Sequence, residues 1–257
     1  MHTTLAFRLS GLVRLAAAAV GVAALWANFE YVLGFSTFAT LNYFSYFTQQ
    51  SNMANVAVLA ISGVLTVRGR SDPPWFAAVH ALVSCYVIVS GVVFAVIVSQ
   101  SASHHYSLAF PPSSQVLHFW LAGYVLVDWV VAPGRTPVRW RTLWLVLLYP
   151  LAWGWFTLAR GREVRWYPYF FLDPAQVSAA QFRLYNGLVL AIVVGVLAAL
   201  IGLSHLRPGP GRLRVRPFRG SGQGVGVGDD PAPGVGVGDD PAPGVGVGDA
   251  VDGTRSK

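Results

Sequence analysis

The chain has 257 residues, 54% of them hydrophobic and only 11% charged. A soluble domain carries about 25% charged side chains, so this composition points away from a water-soluble globule and toward a membrane protein. The net charge of +7 is almost all arginine, with Lys257 the sole lysine; no basic and aromatic module accompanies it, which argues against nucleic acid as a partner.

Six apolar segments are long enough to cross about 30 Å of hydrocarbon. They fall at 9–28, 45–67, 75–99, 114–132, 140–160 and 182–205. In the first, Arg8 and Arg14 stand ahead of an alanine-rich core as in a signal peptide. No small-x-small site follows and further spans do, so an uncleaved helix is expected. Arg-Gly-Arg-Ser-Asp-Pro-Pro at 68–74, Pro111-Pro112 and Pro-Gly-Arg-Thr-Pro at 133–137 separate later segments. The third segment is rich in Val and Ile, as a strand would be, but its length and its place among other spans favour helix. Cys85 sits in that run without a partner for a disulfide or a metal pair, and reads as a small buried hydrophobe.

The expected fold is therefore all-α: a polytopic membrane protein with six transmembrane helices over residues 1–206. Residues 207–257 carry a basic juxtamembrane segment, then Gly-Val-Gly-Val-Gly-Asp-Asp-Pro-Ala-Pro at 224–233, repeated at 234–243. Glycine and proline at this density cannot bury a core, so the tail is expected to be disordered.

Arginine sets the expected orientation. Arg68 and Arg70, Arg135 and Arg139, and Arg207 to Arg219 follow the second, fourth and sixth spans, whereas the first and third connections hold no Lys or Arg. The positive-inside rule puts both termini in the cytoplasm, as for a multi-pass protein of the cell inner membrane. The fifth connection, with Arg160, Arg162 and Arg165, runs against that pattern.

The most informative stretch is Asn42-Tyr-Phe-Ser-Tyr-Phe-Thr-Gln-Gln-Ser-Asn-Met-Ala-Asn55. Ser45, Thr48, Asn52 and Asn55 share one helical face, with Gln49 and Ser51 crowding the same entrance. Hydrocarbon offers such groups no partners, so the stripe should turn toward other helices or a polar cavity. The second and fourth spans start on the same side. Thr48 and His118 therefore lie at matched depth, about 4–6 Å below the outer boundary at 1.5 Å per residue. A hydroxyl and an imidazole so placed are the minimum equipment for nucleophilic chemistry. The bland alternatives are a threonine bonded to its own helix and an interfacial histidine with a satisfied ring. His104 and His105 lie in the adjoining outer loop.

Three motifs occur in order on different segments: Phe44-Ser-Tyr-Phe-Thr-Gln-Gln-Ser-Asn52; His118 with Asp128-Trp129; and Trp166-Tyr-Pro-Tyr-Phe-Phe-Leu-Asp-Pro174. Over about residues 8–205 the chain resembles the bacterial branch of the androgen-induced membrane protein family. Animal members of that family hydrolyse fatty acid esters of hydroxy fatty acids. The resemblance implies that Thr48 and His118 form a catalytic pair in a lipid-ester hydrolase acting without a cofactor or metal. Ala122 and Phe170 stand where relatives usually carry proline, and Gln49 where they carry an aliphatic residue. In such a mechanism His118 takes the Thr48 proton, with Asn52, Gln49 or Ser45 as candidate oxyanion donors. Asp173, Tyr167 and Tyr169 are candidates to orient His118, and Trp166, Tyr167 and Tyr169 are expected to roof the pocket. The competing reading is a non-catalytic membrane protein whose polar outer-leaflet pocket binds lipid or assists assembly. A transporter is disfavoured by the lack of an inverted repeat with broken helices. A bis-histidine haem is disfavoured because His80, His118 and His205 sit on different helices at different depths.

Two charged residues call for a structural account. Arg14 and Asp128 lie at similar depth near the cytoplasmic boundary, where an unpaired charge is costly, so an ion pair between them is expected. Glu30 and Arg183, at the outer edge, are candidates for a second pair. Tyr43, Tyr46, Trp75, Trp140 and Trp166 fall near boundaries, as aromatic belts do.

Overall fold

A computed structural model describes residues 2–35, 39–103, 110–133 and 135–206. His104, His105 and the repeat tail lie outside the described residues. The described chain is helical without strands. Helices α1 (His2–Leu33), α2 (Thr40–Ser45), α3 (Phe47–Val67) and α4 (Pro74–Ser103) come first. Then α5 (Pro112–Gln115) runs through a π-helical turn (Val116–Trp120) into α6 (Leu121–Val131). A 3₁₀ turn (Trp140–Leu145) leads into α7 (Leu148–Val164), and α8 (Ala179–His205) closes the bundle. Six helical stretches are long and apolar enough to span a membrane: Leu5–Leu33, Phe47–Val67, Pro74–Ser99, Pro112–Val131, Trp140–Val164 and Ala179–His205. The protein is thus an all-α polytopic membrane protein.

Local chemistry explains the breaks. Pro112 stands in the first turn of α5, where its missing N–H is no loss. Ser178 and Gln181 form a reciprocal capping box at the start of α8. Arg165 ends α7 in the left-handed region at φ 55°, and Gly69 turns the chain after α3 at φ 71°. Tyr46 is extended at φ −66° and ψ 132°, which separates α2 from α3. Ser45 consequently belongs to α2 and not to the α3 stripe that the spacing suggested.

Membrane helices associate through close packing and polar contacts, since lipid tails are as apolar as leucine. α1 and α3 meet at two glycines: a Cβ on Gly11 would lie 2.6 Å from the Val67 nitrogen, and one on Gly63 would lie 3.0 Å from the Gly11 oxygen. The main core joins α4, α6 and α8 through Ala81, Cys85, Val89, Trp129, Val193 and Leu197. Helix α7 touches this core through Tyr149 near its start but is otherwise the least buried span. Only 17% of the apolar stretch in Trp140–Val164 is buried, against 50% for that of α4; Trp155 on α7 and Trp144 in the turn before it are 75% and 85% exposed.

The face of α3 bearing Thr48, Asn52 and Asn55 turns inward, and the same face continues to Ser62 and Thr66; all five are buried. At the far end of the bundle this face meets a buried ionic cluster. Arg14 Nε donates to both Asp128 oxygens, at 3.0 and 3.2 Å, and its Nη1 donates to Ser62 (2.8 Å) and Thr66 (2.7 Å). Asp128 also accepts from Arg135 Nη2 at 2.6 Å, while the Arg135 guanidinium lies 3.9 Å over the Trp129 ring. Asp72 accepts from Ser62 (2.9 Å) and His80 Nδ1 (3.0 Å). Burial pushes the Asp72 carboxyl up, but the hydrogen bonds from His80 and Ser62 and the Arg14 charge outweigh it and hold the carboxyl below its ordinary value. Burial lowers Arg135 to about 10 even against the pull of Asp128.

Candidate functional site

Thr48 is the second residue of α3, so its side chain sits at the mouth of the inward face. Its Oγ1 lies 2.7 Å from Ser90 Oγ on α4 and 3.3 Å from the Tyr169 hydroxyl in the connection before α8. Its backbone carbonyl accepts from Asn52 Nδ2 (3.0 Å) and Ser51 Oγ (3.1 Å). The Thr48 hydroxyl is thus bonded across the bundle and not back to its own helix.

His118 occupies the π-helical turn, a distortion often found where a helix must present a side chain. The turn ends just before Ala122, so the helix is reshaped here without a proline. The His118 Nδ1 lies 2.8 Å from the Ser114 carbonyl oxygen. A carbonyl can only accept, so Nδ1 carries the proton and the neutral ring keeps its lone pair on Nε2. The imidazole stacks on Phe94 at 3.8 Å between centroids and 20° between planes. Gly91 permits this approach: a Cβ there would lie 2.3 Å from the His118 carbonyl oxygen.

Thr48, Ser90, His118 and Tyr169 line a single cavity of about 370 Å³. The other walls are mainly apolar: Phe47, Val89, Val93 and Phe94 from α3 and α4, Leu151, Trp155 and Leu158 from α7, and Val189, Leu190 and Val193 from α8. Phe171 and Leu172 line it from the connection before α8. A small hydroxyl and imidazole cluster in an otherwise apolar chamber suits a ligand that is long, apolar and polar at one point.

The remaining sequence-derived site residues have other neighbours. Ser45 Oγ donates to the Leu41 carbonyl, Gln49 Nε2 donates to Asn28 Oδ1, and Asn52 Nδ2 is committed to Thr48. None of these three oxyanion candidates is among the residues that line the cavity. Trp166 sits edge-on to Tyr46 beneath Arg160, and the Tyr167 ring fills the space over Gly161. Asp173 accepts from the Ala175 N–H and from Gln176, and these bonds hold its carboxyl below the ordinary value. Of Trp166, Tyr167 and Tyr169, expected to roof the site, and Asp173, a candidate to orient His118, Tyr169 is the one that lines the cavity. Burial pushes its phenol up to about 12, against the opposing pull of the Thr48 contacts, so it is a hydroxyl donor at neutral pH. The orienting partner of His118 is the Ser114 carbonyl, one turn back on its own span.

Two of the site residues were not foreseen from the sequence. Ser90 lies in Val-Ile-Val-Ser-Gly-Val-Val, where a lone serine looks like a small packing residue. The signal available was the Ser90-Gly91 pair, small residues at which helices approach closely. Phe94 had no signal in an apolar run. Among the described residues, no ion pair joins Glu30 to Arg183, and no group of His, Cys, Asp or Glu is arranged to hold a metal.

Comparison with protein-family models, with characterised proteins and with solved structures finds no significant match to this chain.

Proposed function

We propose that this membrane protein is a lipid-ester hydrolase of the androgen-induced membrane protein type, with Thr48 as nucleophile and His118 as general base. One observation carries the proposal: the Thr48 hydroxyl and the His118 ring line the same apolar cavity, and the imidazole is held with its free lone pair on Nε2. The ester of a long acyl chain enters from the lipid beside α7, the least packed span, with the acyl chain along the walls of α7 and α8. As general base, His118 gains a proton at Nε2 while Thr48 Oγ1 loses its own and attacks the ester carbon. Tyr169, which lines the cavity as Ser45, Gln49 and Asn52 do not, donates to the developing oxyanion. Water then releases the acyl group. In the orientation we propose, both termini are cytoplasmic and the cavity lies in the outer leaflet of the inner membrane.

A second reading has its own support. Among the described residues no hydrogen bond joins Thr48 to His118, and the His118 ring is already stacked on Phe94 and bonded to Ser114. A cavity whose hydroxyls satisfy one another, beside an imidazole tethered to its own helix, is a good lipid-binding pocket without catalysis. Labelling of membranes with a fluorophosphonate separates the two. The hydrolase reacts covalently at Thr48, and Thr48→Ala and His118→Ala abolish the adduct. Absence of labelling in the native chain would leave lipid binding as the function.

A further inference from the structure

We propose that Ser90 is the proton relay between Thr48 and His118, an inference that rests on the hydrolase reading. Ser90 Oγ is 2.7 Å from Thr48 Oγ1, is only 6% exposed, and lines the same cavity as His118. The neighbouring Gly91 is the point where the α4 backbone meets the His118 carbonyl. Phe94, one turn further along α4, carries the imidazole on its ring. Helical side chains lean toward the N-terminal end of their own helix, so a ring stacked on Phe94 lies over the turn between Ser90 and Phe94. Ser90 Oγ is thus bonded to Thr48 in the cavity that the His118 ring also lines; no hydrogen bond joins Ser90 to His118 among the described residues, so the second link of the relay forms by side-chain movement.

The proton count supports the same assignment. Three hydroxyls are in line, Tyr169, Thr48 and Ser90, and each has one proton to give. When Tyr169 donates to Thr48 and Thr48 donates to Ser90, the Ser90 proton is left for an acceptor on the far side. In the relay that acceptor is His118 Nε2, the nitrogen left without a proton when Nδ1–H is held by the Ser114 carbonyl.

The step balances. Thr48 Oγ1 bonds to the acyl carbon while the carbonyl π pair moves onto its oxygen. The Thr48 proton passes to Ser90 Oγ, and the Ser90 proton passes to His118 Nε2. Collapse of the tetrahedral species re-forms the carbonyl and breaks the bond to the alcohol oxygen, which leaves with the proton from Nε2. Ser90 ends with one proton, as it began, and no co-reactant is needed.

The test is fluorophosphonate labelling of the full chain in membranes, with the adduct located by peptide mass spectrometry and the rate measured in mixtures of light and heavy water. The native chain should label at Thr48, with a bowed dependence on the deuterium fraction because two protons move together. Ser90→Ala should label at least about 100-fold more slowly, within the range of general-base assistance, with a linear dependence and an unchanged melting temperature. Ser90→Thr, which keeps the hydroxyl, should recover much of the rate. An unaltered rate in Ser90→Ala would overturn the relay, and so would a native adduct on Ser90. If Ser90→Ala is poorly folded, the relay is judged on the native proton dependence and on Ser90→Thr, and a linear native dependence refutes it. No adduct on the native chain would instead defeat the hydrolase reading, and the relay with it.

Discussion

Arg14 and Asp128, 114 residues apart in the chain, are joined by two hydrogen bonds of 3.0 and 3.2 Å that tie α1 to α6. Both are buried, and the same carboxylate holds Arg135. A buried ion pair is weak evidence of net stabilisation, but removing one partner typically costs about 3–5 kcal/mol because the other charge stays buried. Asp128→Ala strands two guanidinium groups and should sharply reduce the melting temperature in detergent. Arg14→Met with Asp128→Leu removes one stranded cation and leaves Arg135 without its carboxylate. Adding Arg135→Met should recover more stability than the double change does. Equal melting temperatures for the double and triple variants would show that Arg135 does not depend on Asp128.

Gly91 sets how closely α4 approaches the His118 turn. A methyl group at this position would start 2.3 Å from the His118 carbonyl oxygen and 3.0 Å from the Ala122 Cβ. The first obstacle is backbone, so the helices must separate. Gly91→Ala should cost about 1–3 kcal/mol, the usual range for overpacking, and Gly91→Val more. Gly123, where nothing lies within 4 Å of the same construction, is the control. Gly123→Ala should leave the unfolding free energy within about 0.5 kcal/mol of native, as neutral surface changes do. Equal effects at the two glycines would mean that the contact between α4 and the His118 turn is not tight.

The span count, the inward face of α3 and the pairing of Arg14 with Asp128 were legible because each follows from the same constraint. Polar groups in hydrocarbon must find partners inside the protein. What escaped the sequence depends on distances between spans. Arg135 looked like one of the arginines that set orientation, yet its loop folds back so that Nη2 reaches Asp128. Ser45 matched the α3 spacing, but the extended Tyr46 places it on a separate short helix. Gln49 stood beside Thr48 in sequence and turns instead toward Asn28 on α1. Periodicity fixes which face a residue occupies; it does not choose among the neighbours that face will meet.

Acid should weaken the end of the bundle where Asp72 sits. Its folded-state pKa is lowered by His80, Ser62 and Arg14 acting against burial. A depressed carboxylate pKa contributes stability that is fully present above the unfolded value of about 3.9 and is lost as pH falls through the folded value. Thermal melts from pH 7 downward should therefore show a loss below about pH 4 that includes an Asp72 contribution. Asp72→Asn should be less stable at pH 7 and should lose less on acidification. A native-like acid slope in Asp72→Asn would assign the loss to other carboxylates.

Tyr169 and Tyr167 are two residues apart, but only Tyr169 reaches the cavity, where its hydroxyl lies 3.3 Å from Thr48 Oγ1. Tyr167 instead packs its ring over Gly161. If Tyr169 is the oxyanion donor, Tyr169→Phe removes that donor and should slow fluorophosphonate labelling by about 10²–10³-fold, the range seen when one such donor is lost. Tyr167→Phe keeps the ring over Gly161 and should label at the native rate. The pH dependence gives a second check. Burial raises the Tyr169 phenol to about 12, so it remains a donor to well above pH 9. A raised folded pKa contributes stability that is fully present below the unfolded value of about 10 and is lost as pH rises through the folded value. The native chain should therefore lose stability between about pH 10 and 12, more steeply than Tyr169→Phe does. Equal labelling rates for Tyr169→Phe and Tyr167→Phe would remove Tyr169 from the reaction and return the search for the oxyanion donor to the backbone.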